Sequence, residues 1–355
     1  MNKYVKRYCI DAMSGMAQGL FSSLLIGTII KTLGQQLLRL GDNPVFQFLI
    51  NAGNFATDSH VVGAAMAVGI GFAMQVPALV LFSLVAVGSA ANVTGGAGGP
   101  LAVLIIAIVA AECGRLVSKK TKIDIIVTPA VTILVGALLT VLTAKYIGIA
   151  ASSVGKFLVW TTKLHPFWMG ILVSAVVGIA LTLPISSAAI CAAFGLTGLA
   201  GGAAVAGCCA QMVGFAIISF KENRWGGILS QGLGTSMLQM PNIIKNPKIW
   251  IPPTLVSIIT GPIATCLFKF EMNGAAVSSG MGTCGLVGQI GVITGWFEPS
   301  EVAIGHGAVA ISPTMFDWLG LILICFVLPG LLSWAFGKIL RKIGWIKDGD
   351  LKLDV

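Results

Sequence analysis

"SQGLGTSMLQMPNIIKNPKIWIPP" (230–253) lies between apolar stretches, and its reading decides the fold. Pro241, Pro247, Pro252 and Pro253 exclude one straight helix, because each removes an N–H donor and crowds the preceding turn. Gln231, Gln239, Asn242 and two lysines sit among them. In a bilayer such broken, polar backbone is tolerated only where protein buries it or where it lines a cavity. The stretch is the first candidate for a ligand site.

The rest of the chain supplies the bilayer. Of 355 residues, 56% are hydrophobic and 10% charged, with mean hydropathy +0.94. Soluble domains carry about 25% charged residues. Runs without Asp, Glu, Lys or Arg extend over 59–111 and 164–220, each more than twice the ~20 residues of one crossing. The expected fold is an all-α polytopic membrane protein of about 8–10 transmembrane helices, some broken or re-entrant. The 45 glycines fit closely packed helices and sharp turns.

The net charge of +9 does not indicate nucleic-acid binding. Lys3, Lys6 and Arg7 at one end and Lys338, Arg341, Lys342 and Lys347 at the other follow the positive-inside tendency. Both termini are therefore expected in the cytoplasm of a cell whose plasma membrane holds the chain. The apolar part of the N-terminal segment runs on to about Leu38 with no clear cleavage site, so it reads as a retained first helix. The eight cysteines show no C-x-x-C and no histidine at metal spacing, and read as buried small apolar residues.

Helices are expected over about 13–38, 61–76, 78–92, 100–118, 125–145, 166–184, 188–220, 250–269 and 315–337, with a break at "NVTGGAGGP" (92–100). The more polar 42–59 stretch is left as interfacial or cavity-lining, and 146–163 as an interfacial helix or a miscounted crossing. After Lys163 the Gly-rich stretches 195–209 and 273–295 join the opening segment in a series of short, broken pieces, as in a transporter's binding region. The division is residues 1–155 as a scaffold and dimerisation half, 156–340 as a transport half, and 341–355 as a cytoplasmic tail.

Amides and hydroxyls suit a sugar or polyol, because they both donate and accept. The substrate-binding candidates are Gln239, Asn242, Gln231, Ser186, Ser187, Gln211, Gln75, Gln289 and His60. Interhelical hydrogen bonding is the competing role for each. His306, in "AIGHGAVAISP", has flanking glycines that permit close approach, whereas His165 precedes Pro166 in a loop. Glu112 and Arg115, three apart at a helix end, read as an ion pair. No P-loop, G-x-S-x-G or zinc motif appears, and neither a metal nor a cofactor is expected.

The order of segments resembles the membrane IIC component of bacterial sugar phosphotransferase systems. The likeness is greatest to fructose- and mannitol-type members and to a perfringolysin-regulator-like offshoot. It rests on "DAMSGMAQGLFSSLLIGTIIKTLG" (11–34), on 95–136, on "SAAICAAFG" (187–195) and on 232–265, in that order. The resemblance implies a homodimer, a small polar solute as ligand and separate IIA and IIB proteins as partners. It also implies a Glu shortly before Pro241, where this chain has Ser236, Met237, Leu238 and Gln239. Thr182 and Ala188 stand at its acidic and amide positions, and "GTCGLVG" (282–288) lacks its usual His. The expected function is solute translocation, without efficient phosphorylation; the alternative is a membrane sensor or regulator on a transporter scaffold.

Overall fold

The computed structural model describes residue 4, residues 6–39, 41 and 43–353, and no strand forms among them. The chain divides into two compact units, one ending at Ala151 and the other spanning Ser152–Leu353.

The first unit begins with α1 (Lys6–Leu38), α2 (Pro44–Thr57) and α3 (Ser59–Ala73). Asn43 caps α2 by accepting the Val45 N–H at 2.9 Å, and Pro44 takes the first helical position. This helix was not expected from the sequence. Its polar residues hid it, since Gln47, Asn51 and Asn54 are exposed while Gly53 is buried. Asp58 ends α2 in extended conformation and caps α3, and the two helices meet at a bend of 55°. α1 and α3 touch backbone to backbone at Gly15 and Gly69, where a methyl on either would enter the other's carbonyl.

α4 (Ala78–Gly95) and α5 (Gly99–Val117) form one helical run of 40 residues. Laid straight it would reach about 60 Å, twice the hydrocarbon thickness. Instead it folds back at Gly96, whose φ of 51° and ψ of −119° are open to glycine. Gly114, late in α5, consequently lies against Val80, early in α4. The expected break at 92–100 is the tip of a hairpin. α6 (Asp124–Thr161) then continues unbroken in helical hydrogen bonding through a π turn at Thr140–Ala144 and carries the chain into the second unit. The 146–163 stretch is thus mostly a continuation of the preceding helix.

At the end of α5 the expected ion pair is present, with Arg115 Nη2 2.6 Å from Glu112 Oε2. Arg7 Nε adds a second contact at 2.9 Å to Glu112 Oε1, which staples the start of α1 to the end of α5.

The second unit contains α7 (Pro166–Thr182), α8 (Ser187–Ala193), α9 (Gly198–Ile218) and α10 (Phe220–Gly227). The single helix expected over 188–220 is two helices. Gly195 and Gly198, at φ 60° and 64°, turn the chain between α8 and α9. The opening stretch divides into a π turn (Ile228–Gly234), a 3-10 turn (Ser236–Gln239), α11 (Met240–Lys245) and the start of α12 (Pro247–Leu267). α13 (Val287–Phe297), α14 (Glu301–Gly305) and α15 (Met315–Lys342) complete the unit.

α9 is its axis. It is apolar all round and almost wholly enclosed, which marks a core helix rather than one facing lipid. Its small residues let α7 and α12 approach: Ser174 of α7 donates from Oγ to the Ser257 carbonyl of α12, and Ser257 Oγ lies 3.3 Å from the Gly207 carbonyl of α9. Val205, Cys209, Phe270, Met272, Trp296 and Ile324 form the apolar core on its other side. Cys191, Cys208, Cys209, Cys284 and Cys325 are buried free thiols.

Among the described residues six helical runs are long and apolar enough to cross a membrane, or seven with α2 and α3 taken as one bent span. The hairpin of α4 and α5 is one of these runs, and Pro166–Thr182 and Cys284–Phe297 are shorter apolar helices. This is an all-α polytopic membrane protein.

Candidate functional site

The nine candidate residues do not form one site: two stand apart in the first unit and seven fall in three places in the second. Both residues in the first unit are exposed. His60 Nδ1 is 2.8 Å from Ser89 Oγ, which ties the start of α3 to α4. Gln75 occupies the turn between those helices at φ 52°.

The first place in the second unit is the opening stretch. Gln231 and Gln239 are fully buried and Asn242 nearly so. Gln231 Nε2 donates to Ser219 Oγ at 2.8 Å and to the Gly227 carbonyl at 3.1 Å. Gln239 Nε2 donates to Gln231 Oε1 at 2.8 Å, and Asn242 Nδ2 to Gln239 Oε1 at 2.9 Å. The same two amides also reach the end of the chain: Gln239 Nε2 donates to the Leu351 carbonyl at 3.0 Å and Asn242 Nδ2 to the Lys352 carbonyl at 2.8 Å. Asn223 reinforces this, donating to the Leu351 carbonyl at 2.8 Å and accepting from the Leu353 N–H at 2.9 Å. Residues 343–353 are therefore a docked strap, held by a relay of amides. Buried amides demand such partners, because an unpaired one costs about 1–3 kcal/mol.

The second place is the junction of α7, α9 and α12. Gln211 Oε1 accepts from Trp250 Nε1 at 2.9 Å and from Thr182 Oγ1 at 3.2 Å, and Thr182 Oγ1 is 2.8 Å from Ser236 Oγ. Gln211 Nε2 donates to Thr254 Oγ1 at 3.3 Å. An amide in α9 thus ties α7 to α12 and, through Thr182 and Ser236, to the broken stretch.

The third is the meeting of two Gly-rich segments. Ser186 caps α8 through the Ala189 N–H, and Ser187 Oγ donates to the Gly280 carbonyl at 2.7 Å. Ser279 Oγ returns a bond to the Leu196 carbonyl at 2.6 Å. Gln289 Nε2 lies 3.2 Å from Cys209 Sγ, whereas its Oε1 is buried without a hydrogen-bond partner.

Beside this meeting point lies a cavity of about 440 Å³, lined among others by Leu164, Met169, Phe194, Leu196, Thr197 and His306. Its size is within the ~300–1,000 Å³ of small-molecule sites. His306 Nδ1 is 3.0 Å from Thr197 Oγ1. The pair puts a hydroxyl and an imidazole, each able to donate and accept, on a largely apolar wall that also carries Thr162. Thr197 was absent from the candidates, and only the glycines around it and around His306 hinted at a cavity.

Comparison with characterised proteins and with solved structures gives no match. The profile of the family "Phosphotransferase system, EIIC" matches residues 10–353. That span takes in the broken segments, the cavity and the docked strap alike, and the chain belongs to this family of membrane transporter components.

Proposed function

We propose that the chain carries a small polyhydroxylated solute, a sugar or polyol, across the plasma membrane by alternating access, with the second unit holding the solute. The observation that carries this reading is the cavity lined by Thr197 and His306 beside the broken segments. Irregular backbone at membrane depth belongs where a cavity is lined. Both termini are cytoplasmic, the first unit makes a homodimer, and IIA and IIB proteins are separate partners in this reading.

The reading includes weak or absent phosphorylation. Ser236, Met237, Leu238 and Gln239 occupy the space in which the resemblance implies a carboxylate. An amide holds a hydroxyl but does not take its proton, and a positioned acid–base group contributes about 10²–10⁴-fold. Membranes containing the chain, given phosphorylated IIA and IIB proteins and labelled sugar, are expected to yield no chain-dependent sugar phosphate. Its accumulation would overturn this part of the reading.

The substrate class is tested separately. Proteoliposomes holding the purified chain are expected to take up at least one labelled sugar or polyol from a broad panel. Thr197→Ala and His306→Ala are each expected to lower that uptake about tenfold, as loss of one hydrogen-bond partner of the solute does. No uptake of any panel member would remove the substrate class.

A further inference from the structure

A second cavity, of about 350 Å³, lies at the far end of α9 and is lined by Ile217, Ile218 and Trp334 together with four cations. The cations are Lys221 and Arg224 from α10 and Lys338 and Arg341 from α15. They are not equivalent. Arg341 is committed to the fold, with Nη2 2.7 Å from Glu222 Oε1 and 3.1 Å from the Ile218 carbonyl. Lys221 Nζ sits 2.6 Å from Asp348 Oδ2, and Arg341 Nη1 3.1 Å from Asp348 Oδ1. The hydrogen bond from Lys221 holds the exposed Asp348 carboxyl below its usual range.

Arg224 and Lys338 have no such partner. Among the described residues neither makes an ion pair; each is held over a ring, Arg224 at 6.0 Å from the Phe220 centroid and Lys338 Nζ at 5.0 Å from that of Trp334. Arg224 also has φ 51° and ψ −146°, a conformation that side chains rarely adopt and that calls for a local reason. Two acids, Glu222 and Asp348, face four cations, so positive charge is left over beside an apolar wall. Trp225, next to Arg224, is 72% exposed. Tryptophan and arginine beside the ends of membrane helices are the pattern of the bilayer interface.

We infer that this cavity binds the phosphate of an anionic phospholipid headgroup, with Arg224 and Lys338 as its ligands and the Ile217, Ile218 and Trp334 wall against the glycerol and upper acyl chain. Basic pockets between membrane helices bind headgroups in this way. A soluble anion would use the cations and gain nothing from the wall. Asp348 is the internal competitor, because it occupies Lys221 at the mouth.

The full chain in mild detergent is titrated with phosphatidylglycerol, with zwitterionic phosphatidylcholine and with inorganic phosphate, and bound ligand is counted by native mass spectrometry. Phosphatidylglycerol is expected to bind well above phosphatidylcholine and to persist against millimolar phosphate. The Arg224→Gln, Lys338→Gln double variant is expected to bind it about 30-fold more weakly, the product of two interfacial cations. Asp348→Asn is expected to bind it more tightly, which a merely damaged fold would not do. Equal binding of the two lipids, unchanged affinity in the double variant, or inorganic phosphate binding as tightly as phosphatidylglycerol would each overturn the assignment.

Discussion

Gly207→Val is expected to leave little folded protein. Gly207 sits at the middle of α9, where α7 and α12 both close on it. A Cβ there would enter the Ser174 carbonyl, and the Gly207 carbonyl itself is approached by Gly178 and by Ser257 Oγ. The obstacle is backbone, so no change of rotamer relieves it. Overpacking of a core costs ~1–3 kcal/mol where side chains can shift, and more where they cannot. Parting α7 from α9 would also pull Ser174 from the Ser257 carbonyl and Thr182 from Gln211. The thermal transition in detergent is expected to fall steeply and the monodisperse peak to vanish. Gly305→Val is the control: a Cβ at Gly305 meets nothing within 4 Å, and its cost is expected within about 0.5 kcal/mol. Similar losses in both variants would mean that α7, α9 and α12 are not packed as described.

Local physics explains which elements were legible. The hairpin tip at Gly96 could be read because Gly-Gly-Ala-Gly-Gly-Pro states its own conformational needs. Glu112 and Arg115 could be read because helix geometry brings residues three apart together. α2 was hidden because its exposed amides resemble a loop, and only the Asn43–Pro44 start marked a helix. The split of 188–220 was half visible: Gly195 and Gly198 are in the sequence, but their positive φ is not. The amide cluster at Gln231, Gln239 and Asn242 was recognised as unusual, yet its partners in the strap are main-chain carbonyls more than 100 positions away. A carbonyl is common to every residue, so no pattern in the sequence announces it. The cavity has the same difficulty, since Thr197 and His306 are separated by 109 positions.

The strap gives a physical account of why position 239 carries an amide, and that account predicts what a carboxylate would do there. Gln239 faces three groups: it donates to Gln231 Oε1 and to the Leu351 carbonyl, and it accepts from Asn242 Nδ2. Two of the three need a donor. In Gln239→Glu the Asn242 bond survives, but oxygen then meets oxygen at Gln231 and at Leu351, with a negative charge added in a fully buried place. The Leu351 carbonyl keeps Asn223 and Asn242 Nδ2 keeps the Lys352 carbonyl, so Gln231 Oε1 is the atom left wholly unpaired. One such orphan costs about 1–3 kcal/mol, and a buried uncompensated charge costs more. Release of the strap is the least costly escape, because it lets water reach the new carboxylate. Amide hydrogen exchange in residues 343–353 is therefore expected to accelerate about 30-fold or more in Gln239→Glu, while exchange in α9 stays slow. Gln239→Leu, which orphans the same oxygen without adding charge, is expected to accelerate it less, by about 10-fold. Protection of 343–353 unchanged in both variants would show that the strap is held by its ion pairs and not by the amide relay.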